Sequence, residues 1–400
     1  MASVALKASE PARAAWYNDP KVRGAIYQTL LAVAVVGLVY GAATNVVENL
    51  RAAKIASGFG FLNTTSGFDI NQTFVSYSAT STYGRAFVVG LLNTLAVSAI
   101  GIVLATFLGF AIGIARLSPN WIVRKVAMAY VELIRNVPLL LQLLFWYIAV
   151  LRPLPEPRNS VSVGGGFFLN NRGLFMPRPI LAEGAWLVPG ALVAGIVAAV
   201  AFARWARREQ KTTGRQYPVW STAAALVLGL PLLAWFATAL VAGNPISFEL
   251  PEQQRFNLRG GMQIFPEFVA LTLGLVIYTA AFIAEIVRAG ILSVSRGQSE
   301  AANALGLRDG PTLKLVVIPQ AMRVIIPPLT SQYLNLTKNS SLAVVIGYPD
   351  LVQVFMGTVL NQTGQAIECV AVTMTVYLII SLITSAVMNE YNRRMALVER

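Results

Sequence analysis

The sequence predicts an all-α, polytopic membrane protein with about eight transmembrane helices. Of its 400 residues, 56% are hydrophobic and only 12% are charged, and the mean hydropathy is +0.62. This composition is typical of a chain that crosses a bilayer several times. Apolar stretches long enough, or nearly so, to cross a bilayer recur along the chain. They are Gly24–Thr44, Ala86–Ala115, Val126–Val150, Ala185–Ala203, Val219–Ala242, Glu267–Ala289, Ile325–Ile346 and Ala366–Met388.

The seventh stretch, Ile325–Ile346, is the weakest of these. Pro327 and Pro328 interrupt its first half, and Lys338 and Asn339 interrupt its second half. A spanning helix tolerates such residues where it lines a cavity inside protein, but not where it faces lipid. We therefore expect a broken helix beside a protein cavity.

The basic residues predict how the chain is oriented. Two sets of segments flank the apolar stretches, and one set carries 20 of the 31 Lys and Arg residues while the other carries 9. Because basic flanking segments stay in the cytoplasm, the richer set is expected inside, with both termini. The inside segments are 1–23, 116–125, 204–215, 288–323 and 390–400; the outside segments are 48–85, 151–184, 243–265 and 347–365.

Several classes of function are excluded. The formal charge of +13 is scattered between apolar runs, and no nucleic-acid-binding signature accompanies it. Cys369 is the single cysteine, which excludes a disulfide scaffold, and histidine is absent. Gly-Lys-Ser/Thr does not occur, so no Walker nucleotide site is expected. We expect no catalytic residue, metal site or cofactor in this chain.

The segment Ser295–Pro319 is a polar island in an apolar sequence. Ser295 and Gln298 have the spacing of a capping box, which predicts a short helix ended by Gly306. Ala301, Ala304 and Leu305 fall on one face of that helix. Because a helix of about two turns is not stable alone in water, we interpret it as a docking helix.

The sequence of this island resembles the EAA loop of ABC importer permeases. Glu300-Ala301-Ala302, then Gly306, then Val316-x-Ile318-Pro319 carry the resemblance. In that family the loop inserts a coupling helix into a groove on a cytoplasmic ATPase. The resemblance implies an ATPase-docking surface formed by Ser299, Glu300, Ala301, Ala302, Leu305 and Gly306. A plain cytoplasmic loop helix is the alternative.

Two further blocks are similar to the polar amino acid branch of these permeases. Glu132, Arg135, Pro138 and Gln142 match its E-x-x-R-x-x-P-L-L-x-Q signature. The later sequences AEIVRAGILSVSRGQSEAANALG and LTKNSSLAVVIGYPDL are similar to the same branch. The resemblance implies a type I ABC importer permease core. The segment 152–265 departs from that core, and with the long outside loop before it resembles the larger permease subunit of general L-amino acid importers.

The resemblance also implies how the chain is divided and what it binds. Four parts are expected: 1–85, with the first span and an outside loop; 86–151, the first part of the core; 152–265, an insertion with two spans; and 266–400, the second part of the core with the coupling loop. The implied partners are a second, different permease subunit, two ATPase subunits that bind ATP and Mg, and a periplasmic binding protein that delivers an L-amino acid. The implied location is the bacterial inner membrane.

Candidate substrate contacts are the charged and polar residues of the spans, because an amino acid carries two charges that lose water in a membrane cavity. We expect Glu285 near the ammonium group, and Lys338 near the carboxylate or paired with Glu285 in the empty site. Glu132 and Arg135 are expected to pair with each other. Intrahelical ion pairs and interhelical packing are the alternatives. The candidate set is Glu285, Lys338, Asn339, Ser340, Ser341, Glu132 and Arg135.

Two other classes of protein compete with an importer subunit. An ion-coupled secondary transporter needs no docking helix and often pairs carboxylates around a cation. Here Glu132 and Glu285 each have an Arg three residues later, which argues against such a site. A passive membrane scaffold does not account for the polar run Thr337–Ser341 inside a span.

The orientation is tested by labelling with a membrane-impermeant thiol reagent. A cysteine introduced at Gly165 should react from outside, and one at Thr213 should not. The reverse pattern would place the Ser295–Pro319 island on the side of the membrane that has no ATPase.

Overall fold

Long helices dominate the structure, a computed structural model that describes residues 19–52, 57–182, 184–254 and 257–395. Within these ranges seven helices are long and apolar enough to cross a membrane, or eight if one bent pair counts as a single span. The predicted fold class is therefore confirmed. The helices are α1 (Pro20–Ala52), α2 (Tyr83–Ala115), α3 (Trp121–Asn136), α4 (Leu139–Leu144), α5 (Leu187–Thr213), α6 (Val219–Ala242), α7 (Pro266–Leu292), α8 (Arg296–Ala304), α9 (Asp309–Thr312), α10 (Ile318–Asn339), α11 (Leu360–Thr363) and α12 (Ala366–Met395).

Helix α7 forms the centre of the bundle, with α2 on one side and α10 on another. Glycines allow both approaches. A Cβ atom on Gly113 would lie 2.8 Å from the carbonyl oxygen of Ala284, and one on Gly290 would clash with the side chain of Ile325. Small residues at such contacts let helix backbones come close inside a membrane, where apolar burial alone does not hold helices together.

The third predicted span, Val126–Val150, is not one continuous helix. It consists of α3 and α4, which meet at an angle of 106°, and α4 continues as a π-helical turn to Leu151. Pro138 favours the break, because proline disfavours helical backbone at the residue before it. Val137 accordingly has φ −102° and ψ 128°.

The predicted break in the seventh span is also wrong. Helix α10 runs without interruption through Pro327 and Pro328, and a 3₁₀ turn, Ser340–Ile346, follows it. The prolines remove hydrogen bonds from the helix without ending it. The carbonyl of Val324 is affected most, because its i+3 and i+4 partners are both proline.

Small antiparallel sheets, which the sequence did not predict, flank the α5–α6 pair. The strands are β1 (Val161–Gly164), β2 (Phe167–Asn170), β3 (Gly173–Met176), β4 (Arg178–Leu181), β5 (Ile246–Glu249), β6 (Glu252–Gln253), β7 (Leu258–Arg259) and β8 (Met262–Ile264). One sheet has the order β1-β2-β3-β8, and β4 pairs with β5 where the α5–α6 hairpin begins and ends. Helices α5 and α6 pack along each other, and among the described helices neither has a comparable interface with any other.

Candidate functional site

The short helix predicted in the polar island is present as α8. Gly306 ends it in the left-handed conformation, with φ +81°, and Leu307 donates a 3.1 Å backbone hydrogen bond to the Ala302 carbonyl. The predicted capping box is wrong, because the Ser295 side chain makes no cap hydrogen bond. The Gln298 side chain instead accepts a 3.2 Å hydrogen bond from Gln320 on α10.

One face of α8 projects away from the protein. Glu300 and Ala301 are exposed, and Leu305 is 84% exposed. Ala302 lies on the opposite face and is only 4% exposed. The expectation that Ala302 contacts a partner is therefore wrong for this structure, since its side chain is buried against its own chain. The exposed face has an apolar side chain and a carboxylate available for a partner.

Three charged side chains join two helices at the end of the bundle where α8 lies. Both oxygens of Glu285 accept hydrogen bonds from Arg288, at 2.5 and 3.2 Å. Arg116, just after α2, also donates to Glu285, and its side chain is 8% exposed. We call these three residues the charge clamp. It joins α2 to α7, and guanidinium groups already occupy both carboxylate oxygens.

The charge clamp lies far from Lys338. Leu336, two residues before Lys338, packs against Gly101 of α2, whereas Glu285 meets Arg116. The fifteen residues of α2 between these contacts correspond to about 22 Å at 1.5 Å per residue. Grouping Glu285 with Lys338 around one amino acid is therefore wrong for this structure. A substrate contact by Lys338 alone stays a prediction.

The exposed face of α10 carries the polar residues of the seventh span. It is formed by residues at helical spacing: Val324, Pro327, Pro328, Ser331, Asn335 and Lys338. Lys338 forms no ion pair with any residue that the structure describes. Asn339 and Ser341 lie half-buried beside this face. Sequence reasoning left Ser331 out, although its spacing from Asn335 and Lys338 could have identified it.

Ser340, another candidate contact, does not lie on this face. It is fully buried, and its hydroxyl donates a 2.8 Å hydrogen bond to the Thr337 carbonyl. Because the Ser340 hydroxyl already donates to a backbone carbonyl and is shielded by its own chain, it contributes to packing and does not reach a substrate. The prediction that Ser340 lines a cavity is therefore wrong for this structure.

The predicted Glu132–Arg135 ion pair is wrong as well. The Arg135 guanidinium lies over the ring of Phe282 on α7, 5.1 Å from its centroid. Glu132 is exposed and forms no ion pair within the described parts of the chain. The aromatic face on α7 attracts the guanidinium, and sequence spacing on α3 cannot reveal that neighbour.

Gln142 has a structural role that the signature alone did not reveal. Its side-chain amide donates 2.9 Å hydrogen bonds to the carbonyls of Ile134 and Val137. These carbonyls belong to the end of α3, where the helix supplies no partner. Pro138 and Gln142 therefore act together: the first ends α3, and the second satisfies the groups left free.

A second set of contacts fixes the opposite end of α2. Asn93 donates to the Pro349 carbonyl at 2.8 Å, and Thr94 accepts from the Leu351 backbone at 3.0 Å. Asp350 is fully buried between the last two spans and accepts a 3.2 Å hydrogen bond from Tyr377. Burial raises the pKa of the Asp350 carboxyl to about 7. We find no sequence signal that would have marked Asp350 as buried.

Comparison with known proteins decides the family. The chain is 54% identical over 384 residues to a putative amino-acid ABC transporter permease protein of Escherichia coli, YhdX, covering 96% of this chain and 97% of that protein. The chain belongs to the amino-acid ABC transporter permeases. The model of binding-protein-dependent transport system inner membrane components matches residues 215–397 of this permease.

Two other relatives cover nearly the whole permease. A general L-amino acid transport system permease protein of Rhizobium johnstonii, AapQ, is 53% identical, covering 97% of this chain and 96% of that protein. A glutamate/glutamine/aspartate/asparagine transport system permease protein of Rhodobacter capsulatus, BztB, is 41% identical, covering 98% of this chain and 99% of that protein. The resemblance to the larger permease subunit, drawn from short motifs, is confirmed.

Removing the carboxylate of the charge clamp should destabilise the permease. Glu285→Gln keeps the size of the side chain but leaves Arg116 and Arg288 without their counter-charge at a partly buried site. We expect a cost of about 1–3 kcal/mol, since leaving charges unpaired costs more where they are shielded from water. The thermal midpoint of the detergent-purified permease should fall accordingly. Glu132→Gln is the matched control, because Glu132 also precedes an Arg by three residues but is unpaired. Equal midpoints for the two variants would contradict the clamp.

Proposed function

We propose that this permease is a transmembrane subunit of an ATP-driven importer of L-amino acids, in which α8 is the element that binds a separate ATPase. The observation that carries the proposal is the exposed face of α8. Leu305 is 84% exposed beside Glu300 on a helix too short to be stable alone. Such a face is stabilised when a partner covers it. The names of the YhdX and AapQ relatives agree with this role.

The route from the ATPase to the spans passes through contacts on the inner face of α8. Gln298 is bonded to Gln320 on α10, and Asn303 accepts a 3.4 Å hydrogen bond from the buried Thr312. Helix α10 in turn packs on α7 through Gly290. A displacement of α8 by the ATPase is therefore transmitted to α10 and α7. ATP and Mg bind the ATPase in this scheme, so hydrolysis is not carried out by the permease.

The translocation pathway follows the exposed face of α10. The Val324 carbonyl lacks its usual i+3 and i+4 donors, because Pro327 and Pro328 have no N–H groups. An unpaired carbonyl in lipid costs several kcal/mol, which favours a polar cavity on this side. A carbonyl accepts from an ammonium group, and Lys338 attracts a carboxylate. Val324 and Lys338 are fourteen residues or about 21 Å apart, so a substrate meets them in succession.

A second permease subunit closes this pathway. The polar face of α10 points away from its own chain, so another protein surface has to shield it from lipid. As the resemblance to the larger permease subunit implies, we take this partner to be a different permease, with two ATPases and a periplasmic binding protein completing the importer. The excess of basic residues supports a cytoplasmic position for α8 and both termini, and we propose that the protein lies in the bacterial inner membrane.

Coupling to a cation gradient is the weaker alternative. The carboxylate in the middle of the charge clamp is already occupied by two guanidinium groups. No group of three or more acidic, Cys or His side chains that could hold a metal ion occurs among the described residues. We therefore favour coupling through α8.

Docking is tested by adding a charge to the exposed tip of α8. Leu305→Asp should abolish co-purification of the ATPase and reduce uptake at least tenfold, because the apolar contact is lost and a charge is buried without a partner. Leu250→Asp is the matched control, since Leu250 is also exposed, at 54%, but lies in the segment 243–265 predicted outside. If Leu305→Asp retained wild-type uptake, the docking role of α8 would be refuted.

The pathway is tested separately at Lys338. Lys338→Met keeps most of the apolar stem and removes the charge, so uptake of radiolabelled L-amino acids should fall at least tenfold. The ATPase should still co-purify, because α8 is unchanged. Lys211→Met removes an exposed charge near the end of α5, outside both the proposed pathway and the Ser295–Pro319 island, and should transport normally. Normal uptake by Lys338→Met would exclude this side chain from the pathway.

A further inference from the structure

A groove of about 830 Å³ lies between α5 and α6, at the end of the hairpin next to residues 214–218. Its deep part is apolar and includes Ile196, Val200 and Val227, and its mouth carries Arg207, Gln210 and Tyr217. No other described helix packs extensively against this hairpin. In a membrane the groove therefore opens toward lipid.

The length of the groove matches one leaflet of a bilayer. Ile196 and Arg207 are eleven residues apart on α5, which corresponds to about 16 Å. The hydrocarbon core is about 30 Å thick, so one leaflet contributes about 15 Å. An acyl chain that enters at the level of Arg207 would reach the bilayer centre near Ile196.

Aromatic side chains place the mouth of the groove at the membrane surface. Trp220 is 90% exposed, and the rings of Trp205 and Tyr217 are 4.9 Å apart. Trp and Tyr concentrate at the level of lipid headgroups. Arg207, which lines the groove, would therefore lie at the level of lipid headgroups.

The charge at this end is strongly positive. The segment 204–215 carries five basic residues and one acidic residue, Glu209. Arg207 forms no ion pair with any described residue. Basic pockets between membrane helices bind anionic lipid headgroups, and each such cation contributes about 1 kcal/mol near an anionic surface.

A second groove on the same hairpin provides an internal comparison. It has a volume of about 650 Å³ at the other end of α5 and α6, between Gly184 and Val241, and none of the described residues that line it is charged. The two grooves are alike in apolar character and differ in the cation at the mouth. A preference for anionic over neutral ligands is therefore expected only for the groove at the basic end of the hairpin.

We propose that the groove at the basic end holds one anionic phospholipid, with an acyl chain between α5 and α6 and the headgroup phosphate on Arg207. The lipid fills a space that the hairpin leaves unpacked. This site is independent of ATPase docking, of the α10 pathway and of the identity of the amino acid.

Native mass spectrometry of the delipidated full-length permease, purified with its importer partners, tests the site. Phosphatidylglycerol and phosphatidylcholine of the same chain length are added in turn. Phosphatidylglycerol should bind more tightly, and Arg207→Gln should weaken its binding roughly fivefold, as expected for one surface cation. Arg208→Gln is the charge-matched control, since Arg208 does not line the groove. It should leave the tightest phosphatidylglycerol site unchanged.

The apolar part of the site is tested with a second pair of variants. Ala203→Leu narrows the basic groove and should remove the tightest phosphatidylglycerol site, whereas Ala237→Leu narrows the uncharged groove and should not. Equal binding of the two lipids, or equal effects of Arg207→Gln and Arg208→Gln, would overturn the proposal. A helix of the second permease subunit seated in the groove of the assembled importer would also overturn it.

Discussion

The arrangement of the functional elements depends on how closely α2 and α10 approach α7. Gly113 and Gly290 permit both contacts, and larger residues there would separate the helices. The approach of α2 brings Arg116 to Glu285, and the approach of α10 supports α8 through Gln320. The charge clamp and the support of α8 therefore both follow from backbone proximity at α7.

Prolines have opposite consequences in two spans because their surroundings differ. Before Pro138 the backbone leaves the helical region, and Gln142 satisfies the carbonyls left free. In α10, Pro327 and Pro328 lie on the exposed face, and the buried face keeps its packing against α7. The first case produces a bend, and the second produces a continuous helix in which the Val324 carbonyl lacks its i+3 and i+4 N–H donors. That carbonyl is one reason to place the pathway beside α10.

The isolated chain has three surfaces that need different surroundings. The tip of α8 is exposed and partly apolar, the outward face of α10 is polar within a span, and the α5–α6 hairpin is apolar with a basic end. In our proposals a protein partner, a second membrane subunit and an anionic lipid satisfy these needs in turn. The physical reason is the same in each case. A side chain is stabilised by surroundings of similar polarity, and a polar or charged group in an apolar environment without a partner costs free energy.

The sequence by itself determined the fold class, the approximate spans, the short helix ended by Gly306 and, through three short motifs, the family. These features depend on local composition and spacing, which the chain carries explicitly. Tertiary structure alone decided the partners of the charged residues. Spacing on one helix predicted Glu132 with Arg135, but Arg135 lies over Phe282 on α7. The same spacing left a Glu285–Arg288 pair as an alternative to a substrate contact, and the structure has that pair with Arg116 added from the end of α2. The separation of Glu285 from Lys338 also depends on helix packing, because sequence distance does not give depth in the membrane.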